Sequence, residues 1–309
     1  AELRTADPAL PEGLERIRGA IRSTSGVLVA AAAKRIIEHD LAALAEHELV
    51  PAYQRLLERP EQRDPACRGK IAIARALHEL DRWEDEVFVH GVTYVQEEPA
   101  WPRSVDTAAE LRGISGLAHA HFHRPDALDV LAVLLADPER TARVAAAQGF
   151  GDAGRPDAAA VLRFKLLLGD AEAEVLSACC ESLLVLQREA ALAFLPRFLN
   201  AVDDRAEATA VALGASRLPA AVPHLERWCD HCKPEQRARV GYLALALSRT
   251  DAGTARLLDV IRGGRGPDAV AAARALATFK DDPSILRQLQ EAAAAQRDLA
   301  ARQEIEALI

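Results

Sequence analysis

The chain has 309 residues and a formal net charge of −8, and half of its residues are hydrophobic although only 4% are aromatic. The acidic balance argues against nucleic acid as the partner, because proteins that neutralise phosphates normally carry a basic stripe. Five cysteines, the lack of a charged and apolar leader and the lack of an apolar run of about 18 residues predict a cytoplasmic protein without disulfides or membrane insertion.

Alanine, leucine and valine at helical spacing predict an all-α fold, since no sustained period-two alternation suggests strands. Residues 87–95 are rich in β-branched and aromatic side chains, but acidic residues flank them and the run is predicted to be helical. The N-terminal part predicts three irregular hairpins over residues 13–123. The third hairpin contains an insertion, residues 96–105, in which Trp101 lies between two prolines. Inserted loops on repeat proteins are frequent binding sites.

The C-terminal half repeats itself more regularly. Asp137, Asp170 and Asp203 lie 33 residues apart, and each opens an Ala-rich stretch that follows a Leu-rich one. This spacing predicts stacked helical hairpins over residues 124–280 and a polar C-terminal cap over residues 281–309. The whole chain is therefore predicted to be a single domain, 1–309, built as an α-α superhelix of about eight or nine hairpins.

One segment of these repeats carries a family resemblance. Residues 145–151, AAAQGFG, resemble the second-helix signature AAxALG of HEAT repeats, and Arg143 lies near the usual basic position. The pattern over residues 13–296 is similar to the short bacterial HEAT repeats that also occur in phycobilisome-lyase-like proteins. The resemblance implies a solenoid whose second helices line a concave surface. Many members of that family are scaffolds, so the resemblance specifies the fold more than the function.

Charged residues and an aromatic residue concentrate around the irregular third hairpin and its neighbour. Trp and Arg side chains are frequent hot spots of protein interfaces, so this region is the predicted partner site. An alternative is that these charges pair with each other on helix faces. The predicted partner-binding residues are Arg68, Lys70, Trp101, Asp106, Glu110 and Arg112.

Two clusters are candidates for metal ligands. His119 and His123 are four residues apart, the spacing of a two-histidine pair on a helix. His224, Cys229 and Cys232 bring soft ligands together within nine residues. Crowding of the second cluster on one hairpin turn disfavours a closed tetrahedral site. The alternative for the histidine pair is a solvated helix end, and the alternative for the second cluster is a reduced thiol pair.

Two His-Glu elements also invite comparison with deoxyhypusine hydroxylase, a HEAT-like enzyme with a di-iron centre held by His-Glu dyads. They are Glu46-His47-Glu48 and His78-Glu79. The C-terminal half lacks any such dyad, so the comparison covers half of that site.

The sequence therefore predicts a non-enzymatic scaffold, without a cofactor, that binds a protein or peptide on its concave face. A bilin-lyase-like or metal-dependent enzyme and a nucleic-acid-binding HEAT-like protein remain the alternatives. The low aromatic content argues against the bilin-lyase-like enzyme, and the acidic charge argues against the nucleic-acid-binding protein.

Overall fold

The computed structural model describes residues 8–201 and 204–309. Helices make up 75% of the protein, so the predicted all-α class is confirmed. The chain forms two compact units, one that ends at Ala153 and one that runs from Gly154 to Ile309. The single-domain organisation over residues 1–309 stays a prediction.

The first unit consists of short helices joined by tight turns. Its helices are α1 (Pro11–Ile21), α2 (Gly26–Glu38), α3 (Ala42–Leu57), α4 (Pro60–Arg63), α5 (Arg68–Glu79), α6 (Asp85–Gly91), α7 (Ala109–His121), α8 (Ala127–Leu134) and α9 (Arg140–Asp152). A 3-10 turn, Pro65–Cys67, precedes α5. Strands β1 (Glu97–Glu98) and β2 (Val105–Asp106) pair antiparallel between α6 and α7.

Packing within the first unit runs along the chain. α2 packs against α5, α5 against α7 and α7 against α9, while α1 and α3 lie beside α2. The fully buried core includes Ile17, Ile36, Tyr53, Ile73 and Phe88. Burial of each such side chain stabilises the folded protein by roughly 1.5–3 kcal/mol. Because helices of neighbouring hairpins pack on one another, each hairpin depends on its neighbours for this burial.

The second unit repeats the same arrangement. Its helices are α10 (Ala158–Leu168), α11 (Ala173–Leu186), α12 (Arg188–Phe194), α13 (Arg205–Ala215), α14 (Val222–His231), α15 (Pro234–Gln236), α16 (Tyr242–Leu247), α17 (Asp251–Gly263), α18 (Gly266–Ala277), α19 (Pro283–Ala295) and α20 (Leu299–Leu308). A 3-10 turn, Leu195–Asn200, extends α12, and a π-helical turn, Arg237–Gly241, leads into α16.

Contacts in the second unit connect α11 to α13, α13 to α16, α16 to α18 and α18 to α20. Small residues allow this close approach. A Cβ atom on Gly214 of α13 would lie 2.2 Å from the carbonyl oxygen of Ala244 on α16, so only glycine fits there. At the C-terminal end, the side chains of Asp282 and Asp298 accept hydrogen bonds from the first-turn amides of α19 and α20 and begin these helices.

Two predictions about the irregular hairpin need correction. Helix α6 ends at Gly91, so residues 92–95 of the predicted helical run are not helical. The insertion contains the β1–β2 pair, which the sequence does not signal because two-residue strands carry no alternation. Asp203, the third residue of the 33-residue spacing, lies outside the described residues.

Candidate functional site

The segment between α6 and α7 forms a closed loop with Trp101 near its tip. Strands β1 and β2 close the loop, with Glu97 opposite Asp106. Below the strands, the amide of Thr107 donates to the carbonyl oxygen of Gln96 at 2.9 Å. The Trp101 side chain is 95% exposed, although an aromatic ring in water is costly. We call residues 96–107 the Trp101 loop.

A buried ion pair lies at the base of the Trp101 loop. Lys70 Nζ donates to Asp64 Oδ2 at 2.9 Å, and both side chains are fully buried. Asp64 also accepts from the backbone amides of Gly69 at 2.6 Å and Lys70 at 3.1 Å. A Cβ atom on Gly26 of α2 would lie 2.0 Å from Asp64 Oδ1, so glycine is required where α2 passes the carboxylate.

The loop is attached to this ion pair through Gln96 and Glu98. The Gln96 side-chain amide donates to the carbonyl oxygen of Asp64 at 2.9 Å. Glu98 accepts from the amide of Ala66 and from the Gln96 side chain, both at 2.6 Å, and from Thr107 Oγ1 at 3.1 Å. Burial alone would raise the pKa of Glu98, but these hydrogen bonds outweigh it and lower that pKa. Glu98 is therefore held as an ionised acceptor.

Arg112 of α7 holds the other side of the loop. Its guanidinium binds Asp137 in bidentate geometry, at 2.7 and 2.9 Å, and donates to Asp106 at 2.5 Å. It also donates to the carbonyl oxygen of Tyr94 at 2.9 Å. A planar fork that serves two carboxylates and a carbonyl group fixes the loop relative to the turn before α9.

The structure separates the predicted partner-binding residues into two groups. Trp101 and Arg68 are exposed, and Glu110 is partly exposed in an ion pair with Arg75. The prediction that the remaining residues contact a partner is corrected, because their side chains are buried in internal ion pairs. These buried residues are Lys70, Asp106 and Arg112.

The histidine pair predicted on α7 does not form. His119 is buried, its Nδ1 hydrogen-bonds to the carbonyl oxygen of Ser115 at 2.7 Å, and its ring packs edge-on against Trp83. Helix α7 ends at His121, and His123 has a left-handed φ of 50°. The two rings therefore do not share a helix face, and the i, i+4 argument is corrected.

The second predicted cluster divides in a similar way. Cys229 is buried against Gly241, and burial raises the pKa of its thiol to about 12. Cys232 follows the end of α14, and its Sγ lies 3.8 Å from the carbonyl oxygen of Cys229. His224 instead lines a surface cavity beside Trp228. Within residues 8–201 and 204–309, no group of three or more His, Cys, Asp or Glu side chains could hold a metal ion.

The His-Glu elements also separate. His47 lies on α3 and lines a cavity with Arg18 and Glu48, whereas His78 lies on α5 and packs edge-on against the ring of His121 at 5.0 Å. His121 in turn contacts Asp81 at 2.6 Å. Burial, the largest cause, and the neighbouring His121 lower the pKa of His78, which favours the neutral ring.

Sequence reasoning missed the buried network under the Trp101 loop. Charged residues are normally expected at the surface, and the partners of Lys70 and Arg112 come from turns rather than from helix positions three or four residues away. The available signal was the pair of glycines, Gly26 and Gly69, which both face Asp64.

No model of a known protein family matches this chain, and comparison with curated proteins gives no match either. In the described part of the chain, every helix is too short or too polar to cross a membrane.

Proposed function

We propose that this protein is a non-enzymatic interaction scaffold that binds a protein or peptide partner. The observation that carries the proposal is Trp101, which is 95% exposed on a loop held by buried ion pairs. A rigid, exposed indole buries a large area on binding and loses little conformational entropy. Arg68, exposed at the start of α5, is the second proposed contact.

The proposal includes a HEAT-like solenoid architecture. Its support is the succession of contacts from α2 through α5 and α7 to α9, and in the second unit from α11 through α13, α16 and α18 to α20. Helices that contact the equivalent helix of the next hairpin are the hallmark of stacked repeats. In such an array the binding surface extends over several hairpins, which suits an extended partner.

The test starts from a phage-displayed peptide library selected on the wild-type protein. Peptides that emerge are labelled, and their affinities are measured by fluorescence anisotropy for the wild type and for Trp101→Ala. We expect the substitution to weaken binding by at least about tenfold, as at an interface hot spot. Thermal melting and helicity should stay unchanged, because the Trp101 side chain has few contacts to lose. Arg68→Ala should give a smaller loss.

Val133→Ala is the matched control, since Val133 is 72% exposed on α8 of the same unit. It should bind the peptides like the wild type. Equal affinities for wild type and Trp101→Ala, or a selection that enriches no peptide, would contradict the proposal. A large loss of melting temperature in Trp101→Ala would mean that Trp101 has a structural role instead.

A further inference from the structure

The outward side of α10 is apolar over a wide arc. Phe164 is 66% exposed, Leu167 54% and Leu168 70%, and Ala160 is exposed between them. At about 100° per residue these positions share one arc of the helix, opposite the buried Leu162. A surface helix in water normally carries polar residues on that arc. We call Ala160, Phe164, Leu167 and Leu168 the α10 face.

A basic rim lies beside the α10 face. The guanidinium carbons of Arg163 and Arg197 lie 5.4 and 4.3 Å from the ring centroid of Phe194, on α12. Arg163 also donates to the Gln187 side chain at 2.8 Å. Among residues 8–201 and 204–309, neither arginine forms an ion pair with a carboxylate, and Arg197 is exposed. The Phe194 ring thus holds two positive charges in place without neutralising them.

A cavity lies next to this rim, between the Leu195–Asn200 turn and α14, and Pro196, which precedes Arg197, lines it. The cavity has a volume of about 290 Å³, and His224, Arg227 and His231 line it together with Trp228. Arg227 is exposed and, within the part of the chain that the structure describes, forms no ion pair with a carboxylate.

Three acidic residues near this surface are already paired with cations. Asp157 pairs with Arg155, and Asp170 pairs with Lys165 at 2.7 Å. On α14, Asp230 pairs with Arg256 of α17 at 2.6 Å. Exposed Glu189 lies in the first turn of α12, whereas Arg197 lies in the Leu195–Asn200 turn that follows this helix. Arg163, Arg197 and Arg227 therefore contribute positive charge to the rim, although the chain as a whole is acidic.

We propose that the α10 face and its basic rim bind an acidic amphipathic helix of a partner protein. The apolar side of such a helix covers Phe164, Leu167 and Leu168, and its carboxylates meet Arg163, Arg197 and Arg227. Helices bind in this way to apolar surfaces when their i, i+3, i+4 and i+7 positions supply the contacts. The basic rim then adds orientation and a faster association rate.

Two other occupants fit the charges less well. A second copy of this chain, joined through a two-fold axis, would bring two α10 faces together and with them the arginines of two identical rims. An anionic bilayer would attract the rim, but it would repel a protein of net charge −8.

The probe is a fluorescein-labelled synthetic helix of about 16 residues, four to five turns, with leucines on one stripe and glutamates elsewhere. One reference peptide has the same residues shuffled so that no stripe forms, and another has lysine in place of every glutamate. Binding to the full chain is measured by anisotropy at low and high salt. We expect only the acidic amphipathic peptide to bind, and more weakly at high salt.

Variants of the protein distinguish the contribution of apolar contact from that of charge. Phe164→Ser with Leu168→Ser removes the apolar contact, and Arg197→Gln with Arg227→Gln removes exposed charge without opening a buried site. Each pair should weaken binding by at least about tenfold, and the arginine pair should also reduce the salt dependence. Circular dichroism and melting verify that each variant folds.

Matched controls come from the same unit. Leu299→Ser removes a leucine that is 72% exposed on α20, and Arg287→Gln removes an exposed arginine of α19. Both should bind like the wild type. Trp101→Ala should also bind the probe normally, which separates this surface from the Trp101 loop.

Several results would overturn the proposal. These are failure of the acidic peptide to bind, equal binding of the shuffled or lysine peptide, and equal losses in the control variants. Light scattering that reveals a dimer broken by Phe164→Ser would assign the α10 face to a second copy. Sedimentation with phosphatidylserine vesicles, lost in the same variants, would assign it to a membrane.

Discussion

The buried ion pair below the Trp101 loop makes a quantitative prediction. Lys70→Met keeps the length and volume of the side chain but removes the charge that Asp64 faces. Loss of one partner from a buried pair typically costs about 3–5 kcal/mol, because the remaining charge is left uncompensated. Asp64 keeps the backbone amides of Gly69 and Lys70, at 2.6 and 3.1 Å, so we expect the lower end, about 3 kcal/mol.

Arg75→Met is the matched control on the same helix. Arg75 and Glu110 form an ion pair whose side chains are 51% and 44% exposed. Exposed pairs contribute less than about 1 kcal/mol, so this variant should change the free energy of unfolding only slightly. The comparison holds the helix and the type of substitution constant and changes only the burial of the charge.

The assay is urea unfolding followed by circular dichroism and by tryptophan fluorescence, with a thermal melt of each variant. At roughly 2–4 °C per kcal/mol, the Lys70→Met melting temperature should fall by about 6–12 °C. A Lys70→Met variant within about 0.5 kcal/mol of Arg75→Met would refute the reasoning that burial makes this pair essential. The double variant Asp64→Asn with Lys70→Met should lose less than the sum of its single variants, since neither charge remains.

Three further predictions concern packing, thiols and pH. Gly19→Ala should stabilise the protein by about 0.5–1 kcal/mol in chemical denaturation, because its Cβ meets nothing within 4 Å. Gly214→Ala should destabilise it, and an equal effect of both variants would contradict the packing argument. With an aromatic disulfide reagent at neutral to mildly alkaline pH, we expect one thiol per native chain to react, that of Cys232. The thiols that should react only after unfolding are those of Cys67, Cys179, Cys180 and Cys229. Burial raises the pKa of Cys180 to about 12, whereas the pKa of a cysteine in an unfolded chain is about 8.5. Between these two pH values the unfolded chain loses the thiol proton and the native protein keeps it. The free energy of unfolding should therefore fall as the pH rises from about 8.5 towards 12. In thermal melts over this range, Cys180→Ala should have a shallower alkaline slope than the wild type, and identical slopes would count against this assignment.

Local periodicity predicted the all-α class, and local capping signals agree with where helices begin. The sequence Asp282-Pro283-Ser284 combines a capping carboxylate with proline in the first turn, and α19 begins there. Local spacing gave a wrong prediction where a helix ends earlier than expected. The i, i+4 spacing of His119 and His123 has meaning only on a continuous helix, and α7 ends at His121.

Burial of charge could not be predicted, because it depends on residues distant in the chain. Lys70 and Arg112 look like ordinary surface cations until Asp64 and Asp137 reach them from neighbouring turns. The α10 face shows the converse. Its leucines resemble core positions of a repeat, and only the positions of the neighbouring helices reveal that they are exposed.

The contacts of Asp64 have a consequence for how the first unit opens. Its carboxylate lies against Gly26 of α2 and accepts from the first turn of α5, while its carbonyl group accepts from Gln96. Asp64 therefore joins the loop base to the packing of α2 against α5, so opening of the core between these helices should also loosen the loop base. An inserted segment is ordinarily the first part of a domain to exchange its amide protons or to be cut by a protease. Here the amide of Thr107 at the loop base should exchange as slowly as those of the core helices.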